Sequence, residues 1–295
     1  MPPFSLPPAR RTRQALRTVA AVSALTAALT ACSSSDDKDA DASDGPKQTA
    51  SEATLTAEQQ AACDGLLDAA GAMLTLSAGE SEEGPSDAQL TEVADLYGTL
   101  QAGLTGEEQT AAGRVADTLR EVVETQNRAL LEDEAFFTSL QAPAAAGREL
   151  CGYDAVDVMA HETPAATADG DPEMSFMGLP ETLPAGPLSL GLTNDAENFH
   201  EAAVMKVKDS FTGTLEDWKK LDEKAAQEAA EIVGVTLAPP QASGFVNLDL
   251  APGRYFVICH VPLMDGAGPD AQPKMGENGP IWHYSLGMAS EVTVS

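Results

Sequence analysis

The chain has 295 residues, and 46 acidic side chains against 17 basic ones give it a formal net charge of −29 at pH 7. Such a surface repels the phosphate backbone, which excludes a role in binding nucleic acid. We expect a solvated acidic surface, with electrostatic steering of a basic partner as the alternative.

The first 31 residues have the pattern of an export signal. Arg10, Arg11, Arg13 and Arg17 come without any acid and precede an apolar run of 14 residues, 18–31. A membrane span needs about 20 apolar residues, so this run predicts a cleaved signal peptide rather than a transmembrane helix. The arginine pair Arg10-Arg11 leaves the export route open.

The apolar run ends in Leu29-Thr30-Ala31-Cys32, which resembles the bacterial lipobox. The resemblance implies that residues 1–31 are removed and that the Cys32 sulfur takes a diacylglyceryl group. Two acyl chains are enough for stable anchoring. We therefore expect an extracytoplasmic lipoprotein on the outer face of the cell membrane of a bacterium, with an ordinary secretory signal as the alternative.

Removal of the signal takes four basic residues and no acid, so the mature charge becomes 13 − 46 = −33. Residues 32–53 are rich in Ser, Asp, Lys and Ala, and they have too little apolar surface to offset the entropy of ordering. We expect this segment to be a disordered tether. The remaining length favours two domains.

Residues 54–160 predict a small bundle of three or four helices. Each predicted helix starts with a hydroxyl residue followed three positions later by an acid or amide. These pairs are Thr56 with Gln59, Ser86 with Gln89, and Thr105 with Glu108. Apolar residues at helical spacing follow each pair, as in an antiparallel bundle. Residues 161–171 are then predicted to be a linker, in which His161 has no assigned role.

Two cysteines lie near opposite ends of the predicted bundle, Cys63 and Cys151. Disulfides persist in an extracytoplasmic compartment. We expect these two residues to pair, although other connectivities stay open at the level of the sequence.

From residue 172 to residue 295 the pattern changes to short alternating strands separated by Pro and Gly turns, which predicts a β-sandwich. One helix, capped by Thr214 with Asp217 and extending to Ile232, interrupts the strands. The predicted fold class is therefore α + β and multidomain, with a helical bundle followed by an antiparallel β-sandwich that has one inserted helix.

The end of the chain reads Tyr255-Phe-Val-Ile-Cys259, a long loop, and then His283-Tyr-Ser-Leu-Gly-Met288. This pattern resembles the cupredoxins, the blue copper proteins of the plastocyanin and azurin type. The segment from Leu192 to Val204 is similar to the region in which that family supplies its first histidine. The resemblance covers residues 172–295. It implies one type 1 copper ion with His200, Cys259 and His283 as equatorial ligands and Met288 as the weak axial ligand.

The donor chemistry is consistent with this interpretation. Two imidazoles, a thiolate and a long thioether contact suit copper that cycles between two oxidation states. Cys259 is the cysteine left over if Cys63 pairs with Cys151 and Cys32 is lipidated, and metal ligation would explain its free thiol. A buried cysteine acting as a small apolar residue is the alternative.

Two features differ from the family pattern. Between Cys259 and His283 lie 23 residues, eight of them Gly or Pro, in place of a much shorter loop. The extra closure entropy is about 2 kcal/mol, which a metal bond network exceeds. Glu201 follows the first histidine where plastocyanins commonly have Asn, and we expect that a carboxylate does not support the ligand loop in the same way.

We expect the neighbours of these residues to have structural roles and not to bind the metal. His260 follows Cys259 directly, and adjacent strand residues point to opposite faces, so His260 is a poor ligand for the same metal. Trp282 and Ile281 are expected to pin the loop, with an apolar docking patch as the alternative. Met264 and Met275 are interpreted as spacers and packing residues.

The chain lacks the sequence motifs of zinc proteases, serine hydrolases and phosphate loops, and it has only four histidines, so we do not expect an enzyme. The sequence predicts a membrane-anchored extracytoplasmic copper protein for electron transfer or copper handling. Its partner is expected to be a redox or copper-exchange protein. A metal-free cupredoxin-like binding module on the cell surface is the alternative function.

Overall fold

The structure is a computed structural model, and it describes residues 55–77, 85–164, 170–265, 271–277 and 279–295. The predicted signal peptide, the lipidation site Cys32 and the tether 32–53 lie outside these residues. Within the described part of the chain, no helix is both long enough and apolar enough to cross a membrane.

The first part of the described chain is helical, as predicted. Its α-helices are α1 Ala57–Ser77, α2 Asp87–Gly103, α3 Gly106–Thr125, α4 Glu134–Gln141 and α5 Ala146–Glu149. Two 3-10 helices, Arg128–Glu132 and Ala142–Ala145, connect the later ones. The fully buried side chains of Leu66, Tyr97 and Leu119 lie in the core between the helices, and the Tyr97 hydroxyl donates to the Leu140 carbonyl oxygen at 2.8 Å.

Two of the three predicted capping boxes form in the bundle. The hydroxyls of Thr56 and Ser86 each accept from the backbone amide three positions on, at 3.2 and 3.3 Å. The side chains of Gln59 and Gln89 accept in turn from the backbone amides of Thr56 and Ser86. The box at Thr105 is wrong, because this residue makes no side-chain cap hydrogen bond. Thr105 itself has the extended backbone of a cap residue, but Gly106, at the first helical position, has a φ of 68°, outside the helical region.

The second part of the chain is a β-sandwich. Its strands are β1 Asp154–Thr163, β2 Glu173–Met177, β3 Thr182–Leu183, β4 Gly186–Asn194, β5 His200–Val207, β6 Ala230–Ala238, β7 Ser243–Leu250, β8 Gly253–Ile258, β9 Met264–Asp265, β10 Gln272–Pro273, β11 Met275–Gly276, β12 Gly279–Pro280 and β13 Ala289–Val294. One sheet has the order β2-β1-β4-β7 and the other the order β3-β13-β8-β5-β6. Aliphatic side chains from both sheets, among them Leu190, Val204 and Val257, form the buried core between them.

The predicted boundary between the two parts is wrong. The bundle was expected to extend to residue 160 and the linker from 161 to 171, but residues 154–163 form β1. Val156, Val158 and Ala160 alternate along this strand, and the last two are buried. This period of two is the pattern of a half-buried strand. The sandwich therefore begins at residue 154 instead of the predicted residue 172, which is 172 − 154 = 18 residues earlier.

The sandwich also differs in detail from an antiparallel one with one helix. β1 runs parallel to β4, and β13 runs parallel to β3. The helix predicted from Thr214 to Ile232 is two short helices, α6 Leu215–Trp218 and α7 Glu223–Ala229. Asp222 accepts a hydrogen bond from the Ala225 amide and so starts the second helix, while Ile232 belongs to β6.

The helices and the sheets pack against each other directly. Ala70 of α1 is part of the core cluster of the sandwich. The Gln141 side chain accepts from the Leu237 amide at 3.1 Å, and the Asn247 side chain donates to the Ala144 carbonyl oxygen at 2.9 Å. Residues 55–295 fall within one compact unit, so the two described parts are not the separate domains that we predicted.

The predicted disulfide between Cys63 and Cys151 is present in the structure. It connects α1 to the segment between α5 and β1. The Tyr153 hydroxyl donates to the Cys63 carbonyl oxygen nearby. The bundle is thus closed on itself just before the sandwich begins.

Candidate metal centre

Three potential metal ligands converge at one end of the sandwich. The Cys259 Sγ lies 3.8 Å from Nδ1 of His200 and 3.4 Å from Nδ1 of His283. The three ligand atoms lie within 4.8 Å of one another. All three residues are buried, with at most 1% of their surface exposed.

The sheet topology explains why residues so far apart in sequence meet here. β8 pairs antiparallel with both β5 and β13. The start of β5, the end of β8 and the start of β13 therefore lie at the same end of the sheet. His200 is the first residue of β5, Cys259 directly follows β8, and Met288 directly precedes β13.

The described residues of the long segment between Cys259 and His283, which are 260–265, 271–277 and 279–282, form a paired arm. The His283 amide donates to the Val261 carbonyl oxygen at 2.9 Å, and the Leu263 amide donates to the Ile281 carbonyl oxygen at 2.7 Å. Farther along the arm, β9 pairs with β10 and β11 pairs with β12. These hydrogen bonds bring His283 back beside Cys259, in a 3-10 helix His283–Leu286.

Met288 is held between two of these residues. Its amide donates to the His283 carbonyl oxygen at 3.1 Å, and its carbonyl oxygen accepts from the Cys259 amide at 3.0 Å. Its side chain is fully buried in the core cluster that contains Cys259. Gly287 makes the turn before it with a φ of 112°, a conformation that favours glycine.

The donor spacing suits a bound transition metal. Metal–nitrogen bonds of about 2.0 Å and metal–sulfur bonds of about 2.3 Å, at angles between tetrahedral and trigonal, separate the two donor atoms by roughly 3.5 to 3.8 Å. The distance of 3.8 Å between the Cys259 Sγ and Nδ1 of His200 lies at the upper end of this range, and the distance of 3.4 Å to Nδ1 of His283 is slightly shorter than its lower end. Two imidazole nitrogens and a thiolate with a buried methionine beside them fit a type 1 copper site.

The environment decides the protonation of two ligands. Burial, followed by the charge of His200, lowers the pKa of His283 to about 3, so its imidazole is neutral at pH 7. Burial, followed by the charge of Glu201, raises the pKa of the Cys259 thiol above its ordinary value. A metal must therefore displace a proton from the thiol when it binds.

Glu201 supports the ligand loop through contacts that the sequence did not predict. Its carboxylate accepts from the His260 amide at 2.8 Å, and its own amide donates to the Cys259 Sγ at 3.4 Å. Only 7% of its surface is exposed, and burial raises its carboxyl pKa to about 7. The residue therefore ties β5 to the segment that carries Cys259.

The aromatic residues around the site pin the base of the arm. The His260 ring stacks on the Trp282 ring with centroids 4.2 Å apart, and the Tyr284 ring lies parallel to both. His260 is outside the group of converging ligands, as predicted. Met264 and Met275 are exposed on the arm.

Sequence reasoning missed Glu162, which lies on β1 in the segment predicted as a linker. Its Oε1 lies 2.9 Å from Nε2 of His200 and accepts from the Asn198 side-chain amide at 2.9 Å. Burial opposes ionisation of Glu162, but the contacts with His200 and Asn198 outweigh it and lower the carboxyl pKa. The alternation from Val156 to Ala160 was the available signal, because the same period places residue 162 on the inner face.

Comparisons with known proteins give structural similarity alone. No protein-family model and no curated protein sequence matches the chain. A reduced auracyanin from the photosynthetic bacterium Roseiflexus castenholzii is 18% identical, with 48% of this chain and 96% of that chain covered and a TM-score of 0.30. Auracyanin A from Chloroflexus aurantiacus, a "blue" copper protein, is 16% identical, with 48% and 98% covered and a TM-score of 0.28. A multicopper oxidase is 12% identical, with 48% and 44% covered and a TM-score of 0.28. These scores are low, so the metal centre is assigned from its own donor atoms.

Proposed function

We propose that this protein binds one copper ion and transfers electrons. His200, Cys259 and His283 are the equatorial ligands, and Met288 is the axial ligand. The observation that carries the proposal is the convergence of two Nδ1 atoms on one Sγ atom in a buried position. The Cys259 Sγ lies 3.8 Å from Nδ1 of His200 and 3.4 Å from Nδ1 of His283. Copper supplies a reversible one-electron couple at such a donor set.

The protein's own residues favour electron transfer by holding the donors still. Backbone hydrogen bonds fix Cys259, His283 and Met288 relative to one another, and Glu201 fixes the loop to β5. Donors that are already in place need little rearrangement when the charge of the ion changes. The burial of all three converging donors excludes water from them.

Burial of the ligands favours electron transfer over copper handling. A protein that passes copper on by ligand exchange must expose its donors to the acceptor, whereas His200, Cys259 and His283 are at most 1% exposed. We therefore expect electron exchange with a redox partner and slow release of the ion. Challenge of the copper-loaded protein with a copper chelator measures this difference, and loss of copper as fast as the chelator mixes would favour copper handling.

The proposed activity is not enzymatic. Among the described residues, one group of three or more His, Cys, Asp or Glu side chains has the spacing of a metal site, and it is the group of His200, Cys259 and His283. A single electron-transfer ion accounts for this group. An oxidase assay on the copper-loaded protein tests the proposal, because turnover of oxygen would contradict it.

The position of the protein in the cell is also part of the proposal. The lipobox Leu29 to Cys32 and the apolar run before it support export and lipid attachment at Cys32, with residues 32–53 as the tether. Such an anchor places the copper domain outside the cytoplasm, near the membrane and its redox partner. Metabolic labelling with a fatty acid tests this, and equal label on wild type and Cys32→Ala would contradict it.

The copper site itself is tested by metal binding. The metal-free protein, with Cys259 kept reduced, is mixed with copper and dialysed. We expect about one copper per chain and an intense thiolate absorption band in the visible region. Cys259→Ser should remove the band because a hydroxyl cannot replace the thiolate. The control His161→Ala, which removes an imidazole outside the group of converging ligands, should keep it. If wild type retains no copper and shows no band, the metal-free binding module is the better function.

A further inference from the structure

We propose that Glu162 is a positioning residue for His200 and that its charge sets the redox balance of the copper site. The inference rests on the proposed copper function, because it concerns a residue that acts through one of the ligands. It adds to that function a carboxylate from a strand that supplies none of the ligands.

The contact is built by buried parts of both sheets. β1, which carries Glu162, belongs to one sheet, and β5, which starts with His200, belongs to the other. The side chain of Glu162 is 11% exposed and that of His200 is fully buried. The side chain of Asn198 donates to Glu162, and the side chain of Asn194 donates to the Asn198 carbonyl oxygen at 2.7 Å. The carboxylate is therefore held in place from its far side.

The position of the carboxylate selects one tautomer of His200. Its oxygen lies 2.9 Å from Nε2, although the pair is not aligned as a regular hydrogen bond. Two atoms that both present lone pairs would repel each other at this distance, so Nε2 carries the proton. A neutral imidazole then has its lone pair on Nδ1, which is the atom that faces the Cys259 Sγ. Glu162 thus presents the ligand nitrogen to the metal.

The second histidine lacks such a partner. Nε2 of His283 is buried and has no hydrogen-bond partner among the described residues. The site is therefore asymmetric, with a carboxylate behind one imidazole and none behind the other. A carboxylate behind a ligand makes the imidazole more basic, and removing such a partner typically weakens metal binding by about 10- to 100-fold.

A negative charge behind His200 also stabilises the two copper oxidation states to different extents. It stabilises the doubly charged ion more than the singly charged one, because the attraction scales with the charge of the ion. Loss of this charge should lower the affinity for Cu(II) more than the affinity for Cu(I). Each tenfold loss in the ratio of the Cu(II) affinity to the Cu(I) affinity corresponds to a rise of about 59 mV in the reduction potential for a one-electron couple.

The test uses the full chain, purified in detergent and labelled with 15N-histidine, in metal-free and copper-loaded forms. The variants are Glu162→Gln, which keeps the shape and an acceptor oxygen but removes the charge, and Glu162→Ala, which removes both. Glu173→Gln is the control, because it removes one exposed carboxylate from the neighbouring strand β2. The spectra of the labelled variants also report whether each one is folded.

In the metal-free wild type, we expect the His200 ring to carry its proton on Nε2, and Glu162→Ala should lose this preference. In the copper form, Glu162→Gln should keep the visible band and bind Cu(II) about tenfold and Cu(I) about threefold more weakly. The ratio of the two affinities then falls about threefold, which raises the reduction potential by about 30 mV. Glu173→Gln should change neither quantity. A merely structural role of Glu162 would not produce a higher potential in a folded, coloured variant.

Two results would overturn the inference. A proton on Nδ1 of His200 in the metal-free wild type would do so whether or not copper binds. Equal potentials for Glu162→Gln and Glu173→Gln would do so in a wild type that binds copper normally. Failure of wild type to bind copper would instead contradict the proposed function, and the tautomer measurement would still decide the role of Glu162.

Discussion

Removal of the disulfide between Cys63 and Cys151 should cost much of the stability of the protein. The double variant Cys63→Ala/Cys151→Ala avoids leaving a free thiol that could exchange with Cys259. The bridge spans a sequence separation of 88 residues. In the chain-entropy model, a loop of this length lowers the entropy of the unfolded state by about 15 cal/mol/K, which is about 4.6 kcal/mol at 25 °C.

Chemical unfolding followed by circular dichroism measures this loss. We expect one cooperative transition in both proteins, because α1 packs into the core of the sandwich, and a midpoint shift that corresponds to about 4 to 5 kcal/mol in the variant. Wild type treated with a reductant is the matched control and should unfold like the variant. A loss below about 1 kcal/mol would refute the reasoning, since the bridge would then constrain the unfolded chain far less than the model requires.

Three further changes test particular contacts. Gly287→Ala places a Cβ 2.5 Å from the Met174 carbonyl oxygen at a φ of 112°, so we expect a loss of about 1 to 3 kcal/mol in chemical unfolding and a changed visible spectrum in the copper form. Met288→Leu should keep copper but raise its reduction potential, because loss of the axial thioether disfavours the oxidised ion. Redox titration measures the potential, and an unchanged value would exclude Met288 as a ligand. Ser86→Ala should cost about 1 kcal/mol in chemical unfolding because it removes a formed cap, whereas Thr105→Ala should change stability by less than about 0.5 kcal/mol; equal losses would contradict the difference between the two caps.

The converging residues were predictable because each lies in a recognisable local pattern. His200 begins an apolar strand, and Cys259 directly follows another, so short stretches of sequence placed both at strand ends. The return of His283 to Cys259 was a hypothesis, since closure of a 23-residue segment depends on pairing between its first and its second half. Each half has too few paired residues for an alternating pattern to indicate that pairing.

The supporting residues were harder to predict because their partners are remote in sequence. Glu162 lies 38 positions before His200, and the Glu201 carboxylate contacts an amide 59 positions away. The strand that carries Glu162 follows directly on a helical segment, so its residues were assigned to the end of the bundle and to the linker. Spacing within one element cannot reveal a contact that depends on the pairing of β1 with β4.

Pairing at the base of the arm makes the geometry of the ligands independent of the length of the insertion. Because the hydrogen bond from the His283 amide to the Val261 carbonyl oxygen already closes the base, residues farther out do not have to hold the ligands. Substitutions in the outer strand pairs β9–β10 and β11–β12 should thus leave the positions of the ligands unchanged. For the same reason, we expect that exchange of the outer part of the arm for another peptide leaves the arrangement of the ligands unchanged.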